Sequence, residues 1–192
     1  RHDAINNGTT TVVVAPRILL AEQLCSEFLE VVDTASTHIM HVHSGETHHF
    51  SSTKADKIHM FANTARTAGE NVIIFTSYNS LQRIVDADIE VNTIYFDEAH
   101  NSVKRNFFPP TEFFSANADR CYFFTATPKH SLTFKKPGMN WGHVYGQVIC
   151  NVPATKLVDE GYILPPKVVV KQLPLIKGRK VMYAEDADNL IE

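Results

Sequence analysis

The tetrapeptide DEAH, residues 97–100, directly follows an apolar run and carries the clearest chemical signal in the chain. Acidic side chains at the end of a buried strand can hold a magnesium ion through its water shell and activate a water molecule. We expect Asp97 to hold Mg²⁺, and Glu98 to orient and deprotonate the attacking water in a phosphoryl-transfer reaction. His100 could link this site to a neighbouring strand end. A solvated acidic turn that caps a helix is the alternative interpretation.

Strands and helices alternate up to residue 127, and this order predicts how the acidic group is positioned. The run TTTVVVA at 9–15 is apolar without alternation, which suits a strand of a parallel sheet that is covered on both faces. Further strands are predicted at 37–45, 71–77, 93–98 and 121–127. The pattern therefore predicts an α/β fold with a mostly parallel sheet and helices on both faces.

The pattern changes after Pro128, where glycine and proline interrupt any periodicity. The following residues are predicted to form, in order, a loop, a strand, a short helix and a further strand, at 129–144, 144–152, 153–161 and 165–174. We place one domain at 1–172 and assign residues 173–192 to a linker that leads towards another domain.

Composition and charge do not indicate a strongly basic, a disulfide-rich or a membrane-spanning protein. The formal net charge of -3 gives no overall basic character, so binding to nucleic acid would depend on local groups. The three cysteines form no Cys-x-x-Cys pair, which indicates a reducing compartment rather than a disulfide framework. No apolar run is long enough to cross a membrane, so we predict a cytoplasmic protein without a membrane partner.

Four segments, taken in order, resemble the motifs of superfamily 2 helicases and translocases. The segment VVVAPRILLAEQL at 12–24 is similar to motif Ia, FTSYNSL at 75–81 to motif Ib, DEAH to motif II, and FFTATP at 123–128 to motif III. Their order and spacing agree with that family across essentially the whole chain. The Thr-Ala-Thr-Pro sequence and the segment 138–170 resemble the DNA-acting, restriction-enzyme-subunit branch more than the DEAD-box RNA helicases.

The resemblance implies a RecA-like domain of the P-loop NTPase type that uses ATP and Mg²⁺. Asp97 and Glu98 would bind the magnesium nucleotide and would form the catalytic group together with His100. Three residues of motif III would couple this site to movement: Thr125, Ala126 and Thr127. ATP would lie between this domain and a second RecA-like domain, in the cytoplasm of a bacterial or phage-infected cell.

The resemblance also assigns contacts with nucleic acid. Five residues at the ends of predicted strands would touch the phosphate backbone of one strand: Pro16, Arg17, Gly45, Thr76 and Ser77. Strand ends, loop amides and helix starts are natural anion sites, and such contacts read phosphate and sugar rather than bases. DNA is the predicted partner and RNA is the alternative. A surface ion pair at Arg17 and a helix cap at Thr76 and Ser77 are the competing interpretations.

One part of a nucleotide site is not found in the sequence. A phosphate-binding loop needs Gly-Lys followed by Ser or Thr, because the lysine reaches the β and γ phosphates. None of the eight glycines is followed by lysine. In the family this loop lies upstream of motif Ia, so the resemblance implies a sheet truncated at its N-terminal phosphate-loop strand. We therefore expect the chain alone to lack ATPase activity. A non-catalytic nucleic-acid-binding module with a relic ATP site is the rival interpretation.

Five histidines occur close together in one part of the sequence: His38, His41, His43, His48 and His49. His41 and His43 share a predicted strand face, which makes a zinc site conceivable. No cysteine lies nearby in the sequence, and Glu46 is the only obvious acidic partner. A loop rich in polar rings is therefore the favoured interpretation.

Overall fold

The computed structural model describes residues 8–133, 135–165 and 167. Two compact units follow one another along the chain, Arg1–Gln147 and Val148–Glu192. The described part of the first unit contains six strands and five α-helices, and that of the second contains one short α-helix. No helix in the described ranges is long and apolar enough to cross a lipid bilayer.

A parallel sheet forms the centre of the first unit. Its strands are β1 (Thr10–Ala15), β2 (Thr37–Val42), β3 (Phe50–Ser51), β4 (Asn71–Ser77), β5 (Thr93–Phe96) and β6 (Arg120–Phe123). They lie in the order β3-β2-β4-β1-β5-β6, and every neighbouring pair is parallel. The predicted parallel α/β fold is thus confirmed. Because all strands run in one direction, their carboxyl ends meet at one edge, which we call the carboxyl edge.

Alternate residues of β1 face two separate apolar layers. Val12 and Val14 pack into one layer, Val13 and Ala15 into the other, and all four are at most 3% exposed. Helix α1 (Ile18–Leu29) covers the second layer. Three helices contribute to the first layer: α2 (Ala55–Thr67), α3 (Leu81–Asp86) and α4 (Phe108–Asn117). Coverage on both faces explains why the sequence of β1 shows no alternation.

Strand β6 lies at the border of the sheet and pairs, among the described strands, with β5 alone. Tyr122 stacks on Tyr95 with ring centroids 5.4 Å apart, and Phe123 stacks on Phe96 at 4.9 Å. Phe124, the next residue, is 54% exposed. These two ring pairs hold β6 to β5 and bring the segment after β6 beside the acidic group.

The strand predicted at 144–152 is wrong. The short helix α5 (Gly142–Tyr145) occupies its start, and the residues after it have no regular structure. Gly146 has φ 66° and ψ -153°, a backbone conformation that is essentially restricted to glycine, and the helix ends there. Val148 and Ile149 are 84% and 85% exposed, so their side chains are not buried as those of a core strand would be. Apolar residues alone were not sufficient to form a strand here.

The predictions for the end of the chain are tested only in part. The helix predicted at 153–161 is present as α6 (Ala154–Asp159). The strand predicted at 165–174 falls almost wholly outside the described residues. The boundary between a domain at 1–172 and a linker at 173–192 lies outside them as well.

Candidate functional site

Asp97 and Glu98 lie at the carboxyl edge, directly after β5. The Asp97 N–H donates to the Val14 carbonyl oxygen at 2.9 Å, and the Tyr78 hydroxyl donates to the Asp97 carbonyl oxygen at 2.8 Å. Glu98 has φ 45° and ψ 51°, a left-handed conformation that is uncommon for a residue with a side chain. The chain therefore turns sharply at this point, and the two acidic residues lie at the edge rather than within the core.

The Asp97 carboxyl is only partly solvated. Burial raises its pKa above the ordinary value. A backbone hydrogen bond from Glu98 lowers this pKa, the Glu98 charge raises it, and His100 lowers it. A cation beside Asp97 would offset the cost of holding negative charge there, and carboxylate oxygens are ligands that Mg²⁺ prefers.

His100 connects the residues after β5 with those after β6. Its Nδ1 atom lies 3.0 Å from Thr125 Oγ1, 3.3 Å from Thr127 Oγ1 and 3.2 Å from Glu98 Oε2. The Asn101 side-chain amide faces the other ring nitrogen at 3.5 Å, which favours the tautomer with its proton on Nδ1. That N–H can donate to the Glu98 carboxylate or to a threonine hydroxyl. We call these four predicted residues (Glu98, His100, Thr125 and Thr127) the His100 group.

Backbone hydrogen bonds fix the same contact. The Ala99 N–H donates to the Phe124 carbonyl oxygen at 2.8 Å, and the Thr127 N–H donates to Thr125 Oγ1 at 3.1 Å. Ala126 lies between the two threonines, is exposed and has no polar side-chain group. The two segments are therefore joined by a backbone hydrogen bond and by the threonine hydroxyls, and a coupling role for Ala126 stays a prediction.

The exposed part of the predicted nucleic-acid surface consists of three residues at the ends of β1 and β2. Arg17 is exposed and directly precedes α1, while Pro16 and Gly45 are half-buried. A Cβ atom at Gly45 would lie 2.7 Å from Ile18 Cγ2, closer than side-chain atoms pack. Glycine therefore allows the turn after β2 to lie against the start of α1.

Thr76 and Ser77 end β4 but are 0% and 4% exposed. The Thr76 hydroxyl donates to the Val42 carbonyl oxygen at 2.8 Å, which ties β4 to β2. Both side chains are thus covered at this edge, and contact between these two residues and a phosphate backbone stays a prediction. Their observed contacts stabilise the carboxyl edge instead.

Two further polar residues at this edge were not singled out by the sequence patterns. Tyr78 is 2% exposed, and burial raises its pKa far above the ordinary value, so its hydroxyl stays protonated and holds the Asp97 carbonyl. The Asn101 side chain donates to the Glu98 carbonyl oxygen at 3.0 Å. The only available signal was their position, since Tyr78 directly follows β4 and Asn101 directly follows the DEAH tetrapeptide.

Two solved structures share this fold. One is a nuclease-deletion mutant of the Type ISP restriction-modification enzyme LlaGI in complex with a DNA substrate mimic, with a TM-score of 0.64 and 20% identity. The other is the ATP-dependent Type ISP restriction-modification enzyme LlaBIII bound to DNA, with a TM-score of 0.61 and 17% identity. Each match covers 79% of this chain but only 14% and 12% of the respective relative. This likeness confirms the predicted RecA-like fold.

A family profile described as the res subunit of type III restriction enzymes matches residues 2–130. The match covers more than half of the chain and includes all six strands and the His100 group. No curated protein matches the sequence significantly. The resemblance to restriction-enzyme subunits that the four motifs indicated is confirmed, and the chain belongs to the family of the res subunit of type III restriction enzymes.

Proposed function

We propose that the chain is the first RecA-like motor domain of a DNA helicase or translocase that couples Mg-ATP hydrolysis to movement on DNA. The observation that carries this proposal is the His100 group, in which one ring nitrogen joins Glu98 to Thr125 and Thr127. A change at the acidic residues can thereby alter the segment after β6. Membership of the res-subunit family and the fold shared with two DNA-bound restriction enzymes support the proposal.

Asp97 and Glu98 have different tasks in this reaction. Asp97 is half-buried at the carboxyl edge and would hold Mg²⁺ through its water shell. When bound, Mg²⁺ neutralises charge on the nucleotide phosphates. The Glu98 side chain is 46% exposed, so its carboxylate can orient a solvent water and take its proton. The His100 Nδ1–H would keep that carboxylate oriented when it donates to Glu98 rather than to a threonine hydroxyl.

Two parts of the ATP site must come from outside these 192 residues. No glycine is followed by lysine, so the chain has no Gly-Lys loop to reach the β and γ phosphates. The arginine finger would come from a second RecA-like domain. The chain also spans only 14% and 12% of the two matched enzymes. We propose that the domain at 1–172 works with adjoining segments, that residues 173–192 lead towards the second domain, and that the chain alone hydrolyses no ATP at a useful rate.

The contact with DNA is assigned to the exposed part of the carboxyl edge. Arg17 places a positive charge at the start of α1, where the backbone amides of the first turn have no intrahelical acceptor. Pro16 and Gly45 present backbone beside it. These three residues would contact the phosphate backbone of one strand, while Thr76 and Ser77 support the edge from within. Such contacts are local, which agrees with the net charge of -3.

A non-catalytic nucleic-acid-binding module is the second candidate, and the missing Gly-Lys pair favours it. This candidate predicts weak, salt-sensitive binding to single strands that does not depend on ATP. The motor predicts DNA binding that changes with ATP once the phosphate-binding loop is present. RNA in place of DNA is a variant of either candidate.

Glu98→Gln tests the water-activating residue. In the intact protein that carries this chain, we expect kcat for ATP to fall about 100-fold or more, because a general base typically contributes that much. Binding of a fluorescent ATP analogue should be retained, since the amide keeps the size of the side chain. Glu112→Gln, at an exposed position on α4, is the matched control. An unchanged kcat would exclude Glu98 as the base.

His100→Ala and Thr125→Val test whether the His100 group couples ATP hydrolysis to DNA. We expect each change, in the intact protein, to reduce DNA stimulation of the ATPase rate by about 10-fold, a typical coupling between sites. The double variant should lose little more than either single variant, because both changes break one contact. Thr64→Val, at an exposed position on α2, is the control. Additive losses would contradict a shared contact.

Arg17→Ala tests the DNA surface. We expect weaker binding of a labelled single-stranded oligonucleotide, and a salt dependence whose logarithmic slope is smaller by about 0.7–1, as for the loss of one phosphate contact. Fluorescence anisotropy across a salt series measures both quantities. Arg83→Ala, at an exposed position on α3, should leave both unchanged. The same slope in Arg17→Ala and the unaltered protein would remove Arg17 from the contact surface.

A further inference from the structure

Three polar side chains converge beside the carboxyl end of β2. The His41 Nδ1 and His43 Nε2 atoms are 3.0 Å apart, and Glu22 Oε1 lies 3.2 Å from the first and 3.1 Å from the second. Glu46 was the only acidic residue near these histidines in the sequence, and the structure brings Glu22 to them instead. Helix α1 packs against the sheet and brings Glu22 to both ring nitrogens, although it lies about twenty residues earlier in the chain.

We propose that Glu22, His41 and His43 bind a divalent transition-metal ion of the Zn²⁺ type. Zinc bonds to nitrogen and carboxylate oxygen are about 2.0–2.1 Å long, so ligand atoms in a tetrahedral site lie roughly 3.3 Å apart. The three observed separations are close to this value, and small shifts would accommodate the ion. Two imidazole nitrogens with one carboxylate favour Zn²⁺ or Co²⁺ over Mg²⁺ and Ca²⁺, which prefer oxygen ligands.

Hydrogen bonds alone account poorly for the three short contacts among Glu22, His41 and His43. When both rings are neutral, at most two N–H protons are available for three short contacts. If both protons point to Glu22, the two nitrogens face each other at 3.0 Å with no proton between them. A metal ion among the three atoms attracts a lone pair from each, so every short contact is then explained.

Burial supports a ligand here. The His41 and His43 side chains are 0% exposed, whereas that of Glu22 is 29% exposed and leaves a route from solvent. Glu22 Oε1 has no hydrogen-bonding partner apart from the two ring nitrogens, and His41 Nε2 has none at all among the described residues. Unpartnered buried polar atoms are costly, and an ion would satisfy Glu22 Oε1. The Thr47 hydroxyl donates to the other carboxylate oxygen at 3.2 Å and orients it.

Cys25 and His49 form a second group with His41, in which one potential ligand atom from each residue lies within 4.8 Å of the others. An ion bound at His41 Nδ1 requires the ring proton to be on Nε2. His41 Nε2 makes no hydrogen bond among the described residues, and Cys25 and His49 are polar residues grouped with the same ring. These two residues therefore complete the surroundings of His41 without being needed as ligands.

One contact must change when the ion binds. The Gly45 N–H donates to His43 Nδ1 at 3.2 Å, so the ion-free His43 ring carries its proton on Nε2. Ligation through Nε2 moves the proton to Nδ1, and the Gly45 amide must then turn away. Metal binding is therefore coupled to the tautomer of His43 and to the turn after β2. This inference does not depend on the proposed motor activity.

Metal titration of the full 192-residue chain, first stripped of ions with a chelator, tests the site. We expect one Zn²⁺ per chain in competition with a chromophoric chelator, and a visible Co²⁺ spectrum of tetrahedral type without a thiolate charge-transfer band. His43→Gln and Glu22→Gln should each weaken Zn²⁺ binding by roughly 100-fold or more, since loss of a direct ligand exceeds the 10–100-fold effect of outer partners. His48→Gln, an exposed histidine of the same segment, is the matched control.

Thermal unfolding separates loss of the site from loss of the fold. Zn²⁺ should raise the Tm of the unaltered chain and of His48→Gln, but not that of Glu22→Gln, whose ion-free Tm and circular dichroism show whether it is folded. Binding of less than one ion per chain would overturn the proposal. Unchanged affinity in both ligand variants, equal loss in His48→Gln, or a thiolate band that assigns the ion to Cys25 would do the same.

Discussion

Parallel pairing of all six strands is the constraint on which the rest of this structure depends. It places the carboxyl ends of the strands at one edge, so groups that are distant in sequence meet there. The acidic residues follow β5, the threonines follow β6, and the buried histidines lie at the end of β2. Both faces of the sheet are covered by apolar layers, which leaves this edge as the place where polar groups can meet a ligand.

At that edge, the conformation of Glu98 and the contacts of His100 depend on each other. A left-handed conformation costs a residue with a side chain roughly 1–2 kcal/mol. Hydrogen bonds of the Asp97 and Ala99 amides on either side, and of the Asn101 side chain, hold Glu98 in this conformation. In the proposed reaction, the Glu98 carboxylate would thereby lie beside His100 Nδ1, 3.2 Å away, before the chemical step. Groups oriented in advance need no rearrangement during the chemical step, which is an important source of catalytic power.

Much of this arrangement could be predicted from the sequence, because the signals are local. The continuous apolar run of β1 predicted a strand covered on both faces. The apolar run directly before Asp97 predicted that the acidic residues follow the end of a buried strand. Contacts made by packing were not predictable in the same way. Glu22 reaches His41 only because α1 packs back against the sheet, and the exposed Val148 and Ile149 have no regular structure although they are apolar. Thr76 is buried because it belongs to β4, which lies between β2 and β1 in the sheet. A match to a short sequence motif does not reveal the position of a strand in the sheet.

ATP hydrolysis by the 192-residue chain tests the central claim most directly, namely that it carries the magnesium and water half of an ATP site without the phosphate-binding lysine. Turnover would be measured in Mg²⁺, with and without single-stranded DNA, for this chain and for a longer chain that adds an upstream segment containing a Gly-Lys loop. We expect no turnover from the shorter chain and DNA-stimulated turnover from the longer one. DNA-stimulated turnover by the shorter chain that Glu98→Gln abolishes would contradict the claim, because another group would then bind the phosphates.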